Sequence, residues 1–425
     1  MRSKSKQAVL LIHGIGEQRP MDTLRGFVKA VWTTNTAIQH EHARPGVFSK
    51  PDMLSGSYEL RRITTTQDRN GVRTDFYEFY WAHLMGGTSL GHIASWLRIL
   101  LQRKPWKLPA HLRGAWVFLV LVIVFVALLA VQLTVPDFIE LPRLLTGVGG
   151  LIVLGIIVPL INGIVGDAAR YLNPEPSNIH RRQEIRSHGV DILNKLHASG
   201  QYSRIVVVGH SLGSVIGYDV LSCAWPAYAE QVEKGKNNPV LTALEQELGE
   251  GAVDTARYQD RQRALLGELQ ANGCPWLVTD FITLGSPLAH AELLLAHDDA
   301  DLRAKQEERE LPRCPPVLEA GKISFPAHLA RRKLHHAAVF GPTRWTNLYF
   351  PARWLVKGDF IGGALRPVFG EGIADVPVHT TRRYGLLTHT LYWKLGPNDA
   401  ALPHIERLRA AMNMLDALHA PEAEA

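Results

Sequence analysis

Apolar residues along the chain recur with different periods, and each period predicts a different element. Short runs at Ala8 to Ile12, Arg204 to Val208 and Leu277 to Leu284 have the length and β-branched content of strands buried on both faces. Tyr58 to Thr66 and Thr74 to Trp81 read as strands around the turn Asp68-Arg69-Asn70-Gly71, and Trp345 to Phe350 as another. Helical spacing covers Met21 to Ile38, Ile179 to His197 and Leu402 to His419. Strands alternating with helices predict an α/β fold built on a mainly parallel, doubly wound sheet.

Two further runs are too long for that pattern. Ala115 to Val135 carries no charge and is interrupted only by Gln132 and Thr134; Leu144 to Val165 is also uncharged, with Pro159, Asn162 and several glycines. About 20 helical residues cross a bilayer core. With the short link from Pro136 to Arg143, the pair predicts a transmembrane helical hairpin inserted at 113–168. It would divide the α/β domain into 1–112 and 169–425, the second part carrying charged helical insertions near 230–272 and 298–310. Arg98, Arg103, Lys104, Lys107 and Arg113 precede the hairpin, and Arg170, Arg181, Arg182 and Arg186 follow it. Only Arg143 lies in the turn, so the positive-inside rule places the domain and both termini in the cytoplasm, at a bacterial-type inner membrane. Trp96, Trp106 and Trp116 suit an interfacial belt, and Gly147, Gly149, Gly150 and Gly155 suit close helix packing. A buried helical cap on a soluble enzyme is the other reading of the same runs.

Composition narrows the partners. The 425 residues carry a net charge of +6, yet the basic residues gather around the apolar runs and show no aromatic-basic nucleic-acid motif. Membrane lipids are therefore the expected partner, and nucleic acid is not. Cys223, Cys274 and Cys314 are odd in number and lack ligand spacing, which fits small core residues in a reducing compartment and predicts neither disulfide nor metal. The apolar stretch after Gln7 is too short for a signal-peptide core and runs straight into His13-Gly14. The sequence is silent on oligomeric state.

The chemistry concentrates at Gly209-His210-Ser211-Leu212-Gly213, between a β-branched run and an apolar helical start. A serine there occupies a nucleophile elbow, a strand-to-helix turn that only flanking glycines can make tight enough. Ser211 would sit at a helix N-terminus, where backbone N–H groups favour developing negative charge. Its alternative role is that of an ordinary helix cap. His13-Gly14-Ile15-Gly16 follows the first strand, as an oxyanion loop does, so the expected donors are the N–H groups of Ile15, Gly16 and Leu212. His13 and His210 read as loop-orienting residues rather than proton carriers.

A serine nucleophile needs a base and a carboxylate that orients it, here in the chain order Ser, acid, His. Asp359 lies in a glycine-rich loop after the strand ending at Phe350 and is the preferred acid. Asp375 is its reserve, and Asp280 is disfavoured because it precedes its strand. His389 is the preferred base, at the start of an aromatic segment that reads as a buried helix, with His379 as competitor. No cofactor is expected.

Taken together, His13 to Gly16, Gly209 to Ile216 with Tyr218-Asp219, Leu284-Gly285-Ser286-Pro287, Asn347-Leu348-Tyr349 before Asp359, and His389 before Tyr392-Trp393 resemble the α/β-hydrolase superfamily. The likeness is to its lipase-like branch of intracellular DDHD-type phospholipases and related bacterial proteins. The acidic and histidine cluster that names that family is not evident, and the inserted hairpin departs from it. The resemblance implies hydrolysis of carboxylic, lipid-like acyl esters through an acyl-enzyme. A hydrolase-fold membrane scaffold without activity and a soluble thioesterase or peptidase are the alternatives.

Overall fold

The computed structural model describes residues 6–14, 20–39, 46–55, 59–85, 120–121, 124, 128, 131, 171, 176–232, 238–251, 253–326, 332–352, 358–359, 361–380 and 386–416. Its strands are β1 (Lys6–Ile12), β2 (Val47–Pro51), β3 (Arg61–Thr65), β4 (Arg73–Phe79), β5 (Arg204–His210), β6 (Val278–Leu284), β7 (Ser324–Phe325), β8 (Lys333–Leu334), β9 (Arg344–Tyr349) and β10 (Ala374–Pro377). Eight of them form one sheet in the order β10-β9-β6-β5-β1-β4-β3-β2, while β7 and β8 pair separately. From β10 to β4 every pairing is parallel; β3 and β2 add an antiparallel edge. The chain is thus α/β with a mostly parallel central sheet.

Burial on both faces explains why the central strands are nearly uniform in apolar content. Ala8, Leu10 and Ile12 of β1 join one core cluster, while Val9 and Leu11 join the other on the opposite face. In β5, Ile205 and Val207 divide from Val206 and Val208 in the same way. Each fully buried aliphatic side chain contributes roughly 1.5–3 kcal/mol. From β1 the chain crosses to the far edge at β2, works back through β3 to β4 beside β1, and then lays β5 on the other side. The order reverses between β1 and β5, and the carboxyl ends flanking such a reversal form the crevice where open α/β sheets bind ligands.

Helices cover both faces: α1 (Asp22–Val28), α2 (Pro176–Ala198), α3 (Leu212–Ala229), α4 (Pro239–Gly249), α5 (Thr255–Ala271), α6 (Asp299–Glu307) and α7 (Pro403–Met412). Residues of α1 and α7 pack on one face; α2, α3, α4 and α5 supply the other. The charged helical insertion expected near 230–272 contributes to the core through α4 and α5. Leu241 and Leu244 of α4 and Tyr258, Leu265, Leu266 and Leu269 of α5 are buried, with Gln262 donating to the carbonyls of Phe340 and Thr343. The charged α6 follows its expectation more closely and buries only Leu302 and Gln306. Cys274 and Cys314 are buried, but Cys223 is exposed, which corrects its reading as a core residue.

Nearly all of the 115–135 and 144–165 runs lies outside the described residues, and among the described residues no helix is long and apolar enough to cross a membrane. Leu121, Val124 and Leu128 are helical and exposed, and their spacing places them on one face. Beyond the second run, Tyr171 is buried and donates its hydroxyl to Asp219 of α3 at 2.6 Å, where Arg186 of α2 also binds that oxygen at 2.7 Å.

Candidate active site

Ser211 stands between β5 and α3 with φ 54° and ψ −129°, a conformation that costs a non-glycine residue about 1–3 kcal/mol. Its side chain makes no capping hydrogen bond to α3, so a helix-capping role does not explain the serine. Backbone contacts hold the turn: Ser211 N donates to Leu284 O at 3.0 Å and Ser214 N donates to Ser211 O at 2.9 Å. Ser214 Oγ lies 2.6 Å from both Ser211 O and Ser286 Oγ, tying the elbow to the turn after β6. The flanking glycines answer to close approach. A Cβ on Gly209 would fall 2.5 Å from Ser214 Cα, and one on Gly213 would strike Ile12 O and sit 2.5 Å from His13 O.

The loop after β1 meets this turn directly. A Cβ on Gly14 would lie 2.8 Å from Ser211 Cβ. His13 is fully buried, its ring stacked on Trp81 at 5.3 Å and its Nδ1 donating to Gly14 O at 2.7 Å. Burial lowers its pKa to about 4 despite that hydrogen bond, so it stays neutral and orients the loop. Leu212 begins α3, where the first N–H groups of a helix have no intrahelical acceptor. Ile15 and Gly16 lie outside the described residues.

Asp359 and His389 come together. His389 Nδ1 lies 2.8 Å from Asp359 Oδ2, and Tyr392 donates its hydroxyl to the same oxygen at 2.7 Å. Oδ1 accepts from Ile361 N at 2.9 Å and Gly362 N at 3.1 Å. Burial pushes the Asp359 carboxyl up, but the charge of His389 and these hydrogen bonds outweigh it, and its pKa falls to about 2. An ionised acceptor at Oδ2 places the imidazole proton on Nδ1. Nε2 is buried and has no hydrogen-bond partner among the described residues, Ser211 Oγ included. His389 starts no helix, contrary to expectation; it sits in a 3-10 turn, Leu386–Thr390, after which the chain is irregular.

The competing residues are placed elsewhere. Asp375 accepts from Asn347 Nδ2 at 2.7 Å and from Leu365 N and Arg366 N, fastening a loop; burial outweighs these bonds and raises its pKa. Asp280 is clamped by Arg204 at 2.6 Å and Arg344 at 2.7 Å, at the amino half of β6. His379 is exposed. Among the described residues, no three or more His, Cys, Asp or Glu side chains are grouped to hold a metal ion.

Two contributors carry little signal in the sequence. Tyr392 reads there as an aromatic core residue, though its spacing of three from His389 is that of a turn neighbour. Ser286 reads only as part of a strand-ending turn. At the carboxyl end of β4, a cleft of about 390 Å³ is lined by residues that include Pro20, Leu60, Phe79, Tyr80, His83 and Ile192. It adjoins the site through Tyr80, whose ring is 5.3 Å from that of His13. Compared with known proteins, the chain matches no family model, no curated protein and no solved structure.

Proposed function

We propose that the chain is a membrane-anchored serine hydrolase of α/β-hydrolase type that cleaves lipid-like carboxylic esters. The observation that carries this reading is the strained, non-capping Ser211 at the sheet's reversal point, next in the chain to His210, whose ring packs 5.0 Å from that of His389 in the Asp359–His389 pair. Strain held at one serine, with an imidazole oriented by an ionised carboxylate, is what a nucleophile and its base require.

In this reading Ser211 Oγ attacks the ester carbonyl carbon as its proton passes to His389 Nε2. Asp359 stabilises the resulting imidazolium without taking the proton. The N–H of Leu212 and those of the loop at Ile15 and Gly16 receive the oxyanion. As the tetrahedral intermediate collapses, its bond to the alcohol oxygen breaks and His389 returns the proton to that oxygen, leaving an acyl-serine. Water then repeats the sequence: His389 takes its proton, its oxygen attacks the acyl carbon, and the free acid leaves as Ser211 regains its hydrogen. The cleft beside Tyr80 offers room for part of an acyl ester.

The exposed face at Leu121, Val124 and Leu128 supports lipid contact for the first apolar run and speaks against a buried cap. Anchorage at the cytoplasmic face would bring membrane esters to the serine. The test is labelling of the full chain in membranes by a fluorophosphonate probe, together with turnover of aryl esters of graded chain length. Labelling and turnover lost in Ser211→Ala support the proposal; wild-type protein that neither labels nor turns over any acyl ester ends it.

A further inference from the structure

We infer that His210 is a positioning residue that fastens the base to the nucleophile's own strand; the inference rests on the serine-hydrolase reading above. His210 is the last residue of β5 and adjoins Ser211. Its Nε2 lies 3.0 Å from the main-chain carbonyl of His389. A carbonyl only accepts, so Nε2 carries the proton and Nδ1 is bare. The ring packs 5.0 Å from the His389 ring, 5.7 Å from Tyr392 and edge-on to Trp393 at 4.7 Å. On its other side, a Cβ on Gly14 would fall 3.0 Å from His210 Nδ1. One side chain therefore touches the oxyanion loop, the nucleophile's turn and the base's turn.

The base needs this help because its own element is weak. Asp359 holds the His389 ring through Nδ1, which sets its tilt, but a ring held at one atom by one side chain can still swing with its main chain. His389 sits in a five-residue 3-10 turn rather than within a long helix. The His210 bond fixes that main chain relative to β5, and so relative to Ser211. Misplacement of a catalytic group by about 1 Å costs on the order of 10²-fold in rate. Burial, followed by the nearby His389, lowers the His210 pKa to about 3, so no second cation competes with the imidazolium formed on His389.

The experiment compares His210→Phe, which keeps a ring and loses the donor, with His210→Gln, whose amide can donate to the His389 carbonyl. Both are assayed as the full detergent-solubilised chain on an aryl ester. His210→Phe should lower kcat about 10²-fold with KM nearly unchanged and shift the acid limb of the pH–kcat profile, as the base is no longer held in place. His210→Gln should recover at least about tenfold of that loss. In wild-type protein, ¹⁵N NMR should show, among the histidines protonated at Nε2, one that does not titrate between about pH 4 and 9 and whose resonance vanishes in His210→Gln, a reading that stands even where the Phe variant does not fold. Unchanged kcat in His210→Phe, a Gln variant no better than Phe, or a titrating His210 overturns this inference alone. A wild-type chain without labelling or turnover overturns it together with the proposed function.

Discussion

Tyr392 donates its hydroxyl to Asp359 Oδ2 across 2.7 Å, sharing with His389 Nδ1 the one oxygen that would orient the proposed base. The same hydroxyl accepts from Phe350 N at 3.2 Å, which fixes it to the end of β9. Tyr392→Phe should therefore lower kcat about tenfold while leaving KM unchanged, since a hydrogen bond to a charged group contributes roughly 1.5–3 kcal/mol. Steady-state kinetics beside a thermal melt separates this from a general loss of fold; an unaltered kcat would show that Asp359 needs no second donor.

Three buried or half-buried aspartates differ in what they hold, and substitution should separate them. Asp359→Asn should cost about 10⁴-fold in kcat, because an amide favours the wrong imidazole tautomer. Asp280→Asn should instead cost about 3–5 kcal/mol of stability by taking from buried Arg204 its carboxylate partner, while Arg344 keeps Asp416, with kcat per folded molecule retained. Asp375→Asn should change kcat less than severalfold. Activity measured on the folded fraction, alongside denaturant melts, distinguishes these outcomes. Because the Asp359 pKa is lowered to about 2, its stabilising contribution is present above the ordinary value near 3.8 and is lost only as pH falls towards about 2. Loss of activity at mildly acidic pH is thus not expected to follow Asp359.

Gly213 and Gly14, both packed at the Ser211 turn, should fail differently on substitution by alanine. Gly213→Ala drives a methyl group into the main-chain carbonyls of Ile12 and His13, which cannot yield without separating α3 from β1. It should abolish folded protein, as judged by near-UV circular dichroism. Gly14→Ala meets a side-chain carbon of Ser211 at 2.8 Å. It should leave the fold and reduce fluorophosphonate labelling at least about tenfold.

Much of this was legible because the central strands are buried on both faces: β5 and β6 announce themselves as apolar runs ending in glycine. The edge strand β2 does not, since all of Val47–Pro51 is exposed and no core imposes a pattern on it. The short β10 is hidden by its proline and its aspartate. In α5 the spacing of Tyr258, Gln262, Leu265, Leu266 and Leu269 is helical, but the surrounding charge masks it in any local average. Ser211 was readable because the elbow is a local device of adjacent residues. Asp359 and His389 were readable only as candidates, because their meeting depends on where the β9 loop and the 3-10 turn cross, which adjacent residues do not encode. The His210 contact with a main-chain carbonyl is less legible still, since any residue type could supply that acceptor.

Glu78 predicts a pH dependence apart from catalysis. It is buried on β4, with Oε2 accepting from Met21 N at 2.8 Å and Oε1 lacking a partner among the described residues. Burial raises its pKa to about 7 against the hydrogen bond from Met21. The folded state therefore favours the protonated acid, and stability from this group is full below about 4.5 and declines as pH rises through about 7. Glu78→Gln should gain on the order of 1–3 kcal/mol at pH 8 and nothing at pH 4. Urea melts at both pH values check the sign.

For the membrane reading, alkaline carbonate washing should leave the full chain in the membrane pellet. Replacing Leu121, Val124 and Leu128 together with lysine should release it, because each charge at the centre of a spanning helix costs about 2.5–3.5 kcal/mol. Release of the wild-type chain by carbonate alone would remove the anchor from the proposal.

The pairing of β1 with β5 has a further consequence, for folding. Arg204 Nη1 reaches Gln7 Oε1 at 3.2 Å across a separation of 197 residues, and the same two strands carry the loop of Gly14 and the turn of Ser211. The acid and base arrive from β9 and from the segment just before α7. No short contiguous fragment holds all of these parts, so the site comes into being only when distant stretches of the chain have found each other. Reactivity at Ser211 would then serve as a clock for closure of the whole sheet, and a refolding chain would regain it among its last properties.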